Sequence, residues 1–391
     1  MKKLFILINF LCVTLIANSQ NNFEFTDIIR LKNPSVQDQG YSGTCWSFSS
    51  MSFLESEMFA NGAENVPNLS EMFVVRHSYI DKAKKYVMMQ QKTNFSEGGY
   101  FLDNIYVLKH YGIVPESAYP NNLDGDYINH QNFYNNMKSF VDSVATEDNE
   151  EINPIWIDNF TKIVDEKLGI YPNEFEYNGK QYTPKTFASE VVKLNPDDYI
   201  QITSFSHHDF NKWIILELPD NWRWNLFLNL PIDDLIKVID NSLKQGHTVL
   251  WGGDVSEKGF ENNFNYALLP GISYNESGKE IKAFQKSSLD EQLAKSEVLS
   301  SPGVEISVTQ ESRQREFENR HTTDDHGMHI VGSATDQKGN KFYIVKNSWG
   351  NYNYNNGYVY ISESYIKLKT TGIMVNKNTC KEYLENVSIE N

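Results

Sequence analysis

Cys45 lies in the run Ser42-Gly43-Thr44-Cys45-Trp46, where a glycine-bearing loop meets the start of a helix-compatible stretch. A thiol at a helix N-terminus faces the positive end of the helix dipole and unpaired N–H groups, and both favour the thiolate. A lone cysteine is as often no more than a small buried apolar side chain. Three features elsewhere weigh toward chemistry. Gln39 stands six residues before Cys45 and can offer an amide N–H to an oxyanion forming beside the Cys45 backbone amide. Asp325-His326-Gly327-Met328 supplies an imidazole at the start of a strand-like run. Lys346-Asn347-Ser348-Trp349-Gly350 supplies an amide able to hold that imidazole in one tautomer. A thiolate attacking an acyl carbon needs an adjacent imidazolium, which later protonates the leaving group, and the imidazole needs an orienting acceptor.

His329 competes with His326 for the imidazole role. On a strand, residues three apart face opposite sides, so only one of them can face a given cleft. A simple hairpin centred on Lys338-Gly339 sets residue 330 opposite Asn347, a register nearer His329. A bulge or shifted turn restores His326. His207, His208 and His321 are the remaining ligand-like histidines. No suitably spaced cysteine or carboxylate accompanies them in the sequence, so no metal and no cofactor is expected.

The elements that must position these groups are legible in part. Cys45 to Ala60 contains no Gly or Pro, and Asn61-Gly62 is a helix stop. A second helix is predicted from Leu69-Ser70-Glu71 towards Gln91, and a third from Tyr100 to Tyr111. Helical spacing recurs at Ile152–Leu168, interrupted near Pro154, at Ile232–Gln245 and at Ala283–Val298. Trp213–Leu218 and Val249–Trp251 read as short strands. Met328–Ala334 and Lys341–Lys346 flank the turn residues Asp336-Gln337-Lys338-Gly339-Asn340, and Gly357–Ser362 is a further strand. The chain is therefore read as α+β, with helices first and antiparallel strands last.

The 391 residues are 40% hydrophobic and 22% charged, with 23 Phe, 22 Tyr and 7 Trp, which is ample material for a core. The net charge of −16, without a basic block, speaks against nucleic acid and against an anionic membrane surface as partners. Three cysteines exclude a disulfide scaffold. Residues 1–19 have the layout of a secretory signal peptide: Lys2 and Lys3, an apolar Leu4–Ile16, then Ala17-Asn18-Ser19 before the expected cleavage. Export to the periplasm or outside the cell is the expectation. No later segment is long and apolar enough to cross a membrane.

The ordered set Gln39-Gly40, Ser42 to Phe48, Leu69-Ser70-Glu71, Gly98-Gly99, Asp325-His326 and Asn347-Ser348-Trp349-Gly350 resembles the papain superfamily of cysteine peptidases. Within it the chain most resembles the bleomycin hydrolase and aminopeptidase C branch. His326 follows Cys45 by 281 residues, where papain-type enzymes have roughly 130–150. Ser42 stands where papain-type enzymes carry a structural cysteine, and Trp251-Gly252-Gly253-Asp254-Val255 is similar to the branch's Gly-x-Asp-Val stretch. The short stretch before Cys45 leaves no room for a long propeptide. The gapless match of Asp325 through Gly332 to the superfamily's motif selects His326.

The resemblance implies a papain-like fold: a helical N-terminal lobe and an antiparallel β-barrel-like C-terminal lobe, an active-site cleft between them, and a large insertion. Along the chain this sets residues 1–19 as signal peptide and 20–120 as the helical lobe. The insertion and first part of the β lobe fill 121–315, and 316–391 carry the His and Asn motifs and the tail. It implies Cys45, His326, Asn347 and Gln39 as catalytic. Gly98 and Gly99 would bind the substrate backbone as an added strand, and Trp349 would shield the Asn347–His326 hydrogen bond. Peptides are the implied substrate, and hexameric homo-oligomers the implied assembly. In that branch a C-terminal arm enters the cleft and its carboxylate pairs with the substrate amine, which makes an aminopeptidase. Here only 44 residues follow Asn347. An open-cleft endopeptidase therefore remains a rival, although Glu382, Glu385 and Glu390 could still bring charge near an amine. The same residues would also suit an acyl transferase, or a non-catalytic peptide-binding protein on this scaffold. Cys380 is open between a free thiol, an intermolecular bridge and a redox lock on Cys45.

Overall fold

The computed structural model describes residues 23–122, 127–146, 151–260, 265–353, 355–385 and 387–389. The expected signal peptide and Glu390 lie outside the described residues. The chain opens with β1 (Phe25–Arg30), then α1 (Cys45–Ala60), α2 (Glu71–Met88) and α3 (Phe101–His110). Residues Trp46 through Met58 of α1 are all buried, so this helix is enclosed on every side. Ser49, Ser50 and Ser56 return hydrogen bonds to the preceding turn, as Ser50 Oγ does to Trp46 O at 2.7 Å, while Ser47 Oγ donates to Glu71 O and Ser52 Oγ meets His329. Ser70 caps α2 by accepting from Phe73 N, and its hydroxyl donates to Tyr119 O at 2.7 Å. Two further helices, α4 (Gln131–Thr146) and α5 (Trp156–Leu168), pack on α2. They do so through Phe133, Met137, Val141 and Val144 and through Phe160, Val164 and Leu168, which recur at three- and four-residue spacing.

A small hairpin, β2 (Phe175–Tyr177) with β3 (Lys180–Tyr182), and the short α6 (Pro184–Phe187) lead into the sheet. Next come β4 (Tyr199–Thr203), β5 (Lys212–Ile215), β6 (Leu226–Asn229), α7 (Ile232–Lys244) and β7 (Val249–Gly253). They are followed by β8 (Tyr266–Ala267), β9 (Gly271–Ser273), α8 (Gly278–Lys286), α9 (Leu289–Lys295), β10 (Gly303–Glu305) and α10 (Gln310–Glu318). The chain closes with β11 (His326–Asp336), β12 (Lys341–Lys346), β13 (Tyr358–Ser362), α11 (Glu363–Lys369), β14 (Thr370–Asn376) and β15 (Ser388–Ile389). The main sheet runs β15-β5-β6-β4-β14-β7-β11-β12-β13-β8, with β1 also on β11. It is mixed: β4/β6, β8/β13 and β5/β15 pair in parallel, the rest antiparallel. Each parallel pair joins strands separated by a long excursion, which parallel pairing requires. One apolar core lies within the helices and along their contact with the sheet, and a second is shared by the sheet, α7 and α11.

Two expected elements differ. The helix predicted over Ala283–Val298 divides into α8 and α9, because Ser288 starts a new helix: its hydroxyl takes Glu291 N and the Glu291 carboxylate takes Ser288 N. The strand predicted over Trp213–Leu218 stops at Ile215, and residues 216–225 leave the sheet to reach α2 and α3 through Trp222 and Arg223.

Replacing Ser70 by Ala removes the α2 cap and the bond to Tyr119 O. The expected loss is about 1–2 kcal/mol of unfolding free energy, read by urea denaturation. An unchanged midpoint would show that the cap contributes nothing.

Candidate active site

Cys45 is the first residue of α1, and its loop is held from two directions. Glu97 takes Gly43 N on its carboxylate at 2.8 Å and Trp46 Nε1 on its carbonyl at 3.1 Å. On the other side the loop is zipped to the segment after β12: Gln39 N donates to Ser348 O at 2.8 Å, Asp38 bridges Trp349, and Gly350 N donates to Gln37 O. The Gln39 side chain is oriented at both ends. Its Oε1 accepts from Ser348 Oγ at 2.6 Å and its Nε2 donates to Ser42 O at 2.7 Å. A carboxamide nitrogen carries two hydrogens, so one remains for another acceptor.

His326 opens β11 and pairs with Gly253 of β7. Its Nε2 lies 2.8 Å from Asn347 Oδ1, which also accepts from Ser348 N. Asn347 Nδ2 donates to Tyr352 OH at 3.2 Å. An amide oxygen can only accept, so the hydrogen sits on Nε2, and Nδ1 is left as the basic nitrogen. The Trp349 ring stacks on the imidazole with centroids 4.8 Å apart. The hairpin register differs from the simple one. Ile330 pairs with Val345 rather than Asn347, and the ladder shifts between Ile330 and Gly332, an irregularity of the kind that re-aims side chains. His329 then pairs with Lys346 and faces a buried pocket with Ser52, Glu55 and Glu71, where its Nδ1 meets Ser52 Oγ at 2.8 Å.

Cys45 and His326 line one cleft, with Gly99, Tyr100, Phe101, Gly252, Gly327 and the carboxylates of Asp220, Asp324 and Asp325. Gly327 N approaches Cys45 Sγ at 3.4 Å. Gly99 packs so closely that a Cβ there would stand 2.9 Å from the Trp46 indole, and Lys82 Nζ holds the Gly98 carbonyl. The sequence predicts a thiol eased towards the thiolate by the helix dipole. Burial dominates instead. It pushes the Cys45 thiol up to about 12, with Asp220 and Asp324 adding to the rise and the Gly327 N–H opposing it. Burial pushes His326 down to about 4 against the Asn347 hydrogen bond. The cleft thus holds a neutral thiol and a neutral imidazole. Both gain charge only as a pair.

Asp220 and Asp324 are the residues of this cleft that motif reading missed. Asp324 adjoins the Asp325-His326 motif and could have been noticed, whereas nothing local marks Asp220. His207 and His208 do have a carboxylate neighbour: their Nε2 atoms lie 3.1 and 3.0 Å from Glu217, which sequence spacing did not pair with them. His321 pairs with Glu316. Cys45 and Cys380 are both free thiols, and Cys380 is buried in the turn after β14.

The model of the Peptidase C1-like family matches residues 9–267, and that of the papain family cysteine proteases matches residues 271–379. Aminopeptidase G of Lactobacillus delbrueckii subsp. lactis is 23% identical over 388 residues, covering 89% of this chain and 82% of that protein. Aminopeptidase C of Lactococcus lactis subsp. lactis is 23% identical, with 94% and 85% covered. Bleomycin hydrolase of Mus musculus is 25% identical, with 67% and 70% covered. The crystal structure of PepW from Lactobacillus rhamnosis superposes with a TM-score of 0.66 at 19% identity, over 93% of this chain and 86% of that one.

Asp220 raises the Cys45 pKa, so Asp220→Asn should lower it. The pH profile of iodoacetamide alkylation at Cys45, followed by mass spectrometry, is expected to move to lower pH. A midpoint that stays or rises contradicts this placement of charge.

Proposed function

The chain belongs to the Peptidase C1-like family, in the aminopeptidase C branch of the papain superfamily, and from that premise we propose that it removes residues from the free N-termini of oligopeptides. The observation that carries the reading is the 2.8 Å bond from His326 Nε2 to Asn347 Oδ1 beside a thiol at a helix head. Cys45 Sγ attacks the scissile carbonyl carbon while its proton passes to His326 Nδ1. The tetrahedral oxyanion takes the Cys45 backbone N–H and the remaining Gln39 Nε2 hydrogen. The C–N bond breaks as His326 protonates the departing amine, leaving a thioester. His326 then draws a proton from water, the water oxygen adds to the thioester carbon, and the acid leaves as the thiol is restored.

Asn347 keeps His326 in the tautomer these steps need, and Trp349 excludes water from their hydrogen bond. Gly98 and Gly99 offer backbone to an extended substrate. Residues 1–19 act as a cleaved export signal in this reading, which places the enzyme in the periplasm or outside the cell. N-terminal sequencing of the mature protein is then expected to begin within about two residues of Gln20.

Cleavage of matched peptides with free and acetylated N-termini, under reducing conditions, tests the activity. Stepwise loss from free N-termini only is expected, and Cys45→Ser should lose about 10⁴-fold or more. Asn347→Ala should lower kcat about 10²-fold through misplacement of the imidazole. The acid limb of its pH profile, where His326 takes up a proton, should move to lower pH, because the lost bond favours the imidazolium. Internal cuts in acetylated peptides would make it an endopeptidase. Transfer to an added amine in preference to water would make it a transpeptidase. Absence of any Cys45-dependent reaction would leave a peptide-binding protein.

A further inference from the structure

The expected aminopeptidase device is a C-terminal arm in the cleft. Here the last described residues, Ser388–Ile389, pair with Lys212 and Trp213 at the outer edge of the sheet. Among the described residues, the lining of the Cys45 cleft includes none from the tail. The end of the cleft beyond Gly98 is closed by a different part of the chain. A Cβ built on Gly98 would lie 2.0 Å from Asp220 Oδ2, so this carboxylate rests directly on the backbone that an extended substrate would use.

The wall that carries Asp220 is clamped. Trp222 Nε1 donates to Asp103 Oδ2 at 2.8 Å, and the Arg223 guanidinium pairs with Asp81 and Asp103 at 2.9 and 3.1 Å. Arg223 also lies over the Tyr106 ring, and Lys85 lies over Trp224. Asp220 itself is held by Asn94 Nδ2 and Ser96 Oγ at 3.1 and 3.2 Å. Such a wall is part of the fold rather than a loop that an incoming peptide would displace.

Facing it across the same space is Asp324. Its Oδ1 is 3.5 Å from Thr371 Oγ1, while its Oδ2 is sealed from solvent with no hydrogen-bond partner. A buried carboxylate oxygen without a donor costs free energy that a ligand donor would recover. Burial first, and then the neighbouring acids Asp220 and Asp325, push the Asp324 carboxyl well above the usual carboxylate range, and a cation entering the cleft would favour its charged form. Lys82, the cation that acts on Asp220, is occupied with the carbonyls of Ser96 and Gly98. The free volume is about 20 Å³, which holds a water or an ammonium head and little more.

We propose that Asp220 and Asp324 bind the α-ammonium group of the substrate, so that the Asp220 wall ends the cleft and dictates removal from the N-terminus. This rests on the aminopeptidase reading above and adds the residues that would enforce it. The ammonium donates to the unpartnered Asp324 Oδ2 and to Asp220, and the scissile bond behind it is thereby placed at Cys45. A longer or acylated N-terminus would have to run into the wall and would leave Asp324 Oδ2 without a donor.

The test compares kcat/KM for an aminoacyl anilide and its N-acetyl form in the wild type, Asp324→Asn and Asp220→Asn, per alkylatable thiol. Changes in thiol reactivity affect both substrates and cancel in the ratio. The wild type is expected to prefer the free amine. Each variant should lower the free-to-acetylated ratio about 10- to 100-fold, through KM, as loss of a charged hydrogen bond does. A second arm uses acetylated dipeptidyl anilides with Lys or Leu as the first residue. If the variants lose only the Lys substrate, the recognised cation is a side chain and the α-ammonium assignment fails. A free-amine preference retained in both variants also overturns the inference, and leaves the aminopeptidase reading intact. A wild type without that preference sinks both.

Discussion

The head of α1 presses against β11 closely enough for the Gly327 N–H to reach Cys45 Sγ at 3.4 Å. That approach depends on missing side chains. A Cβ on Gly327 would crowd Phe101, Ser49 and Trp46 at 3.2–3.4 Å, and one on Gly252 would stand 2.6 Å from the Tyr100 hydroxyl. With the two surfaces this close, a thiol from the helical side and an imidazole from the sheet share one narrow cleft. The zipper between residues 37–39 and 348–350 then fixes the rest. The serine that orients the Gln39 carboxamide, Ser348, also donates its N–H to Asn347 Oδ1. The Gln39 carboxamide and the imidazole's partner are thus set by one short stretch of chain.

Burial has an electrostatic consequence. Burial outweighs the helix dipole at Cys45 and the amide hydrogen bond at His326, so neither group is charged alone in the cleft. The carboxylates of Asp220 and Asp324 deepen this by repelling a thiolate. A cation seated between them would relieve that repulsion and ease the thiol towards the thiolate. The buried acids further along α1 and at the start of α2 are separate from this: Glu55 and Glu71, pushed up to about 8 and about 7 by burial, share a pocket with Lys346 and His329 and not with the cleft.

Much of the helical region was legible because its signals are local. Ser70 as cap, Asn61-Gly62 as stop and the glycine-free run after Cys45 each act within one or two turns, and the observed helices begin and end close to them. The division of α8 from α9 was equally local, through the Ser288–Glu291 capping box, and was masked because apolar spacing continued across it. The mixed character of the sheet was not legible. Strand neighbours such as β4 and β6 are chosen by packing over a long excursion, and no turn chemistry specifies them.

The sequence by itself determined the chemistry on offer: a thiol at a helix start, an imidazole at a strand start, an amide after the next strand, and the family to which their order belongs. These are facts of residue type and spacing, which no folding event alters. Motif order already favoured His326, and the tertiary structure supplied the means, a register shift between Ile330 and Gly332 that a simple hairpin lacks. It also decided the protonation state of the thiol and the meeting of Asp220 with Asp324. Register, burial and charge proximity depend on distances in space, and residues 220 and 324 become neighbours only when the Asp220 wall is clamped onto α2 and α3 beside the start of β11.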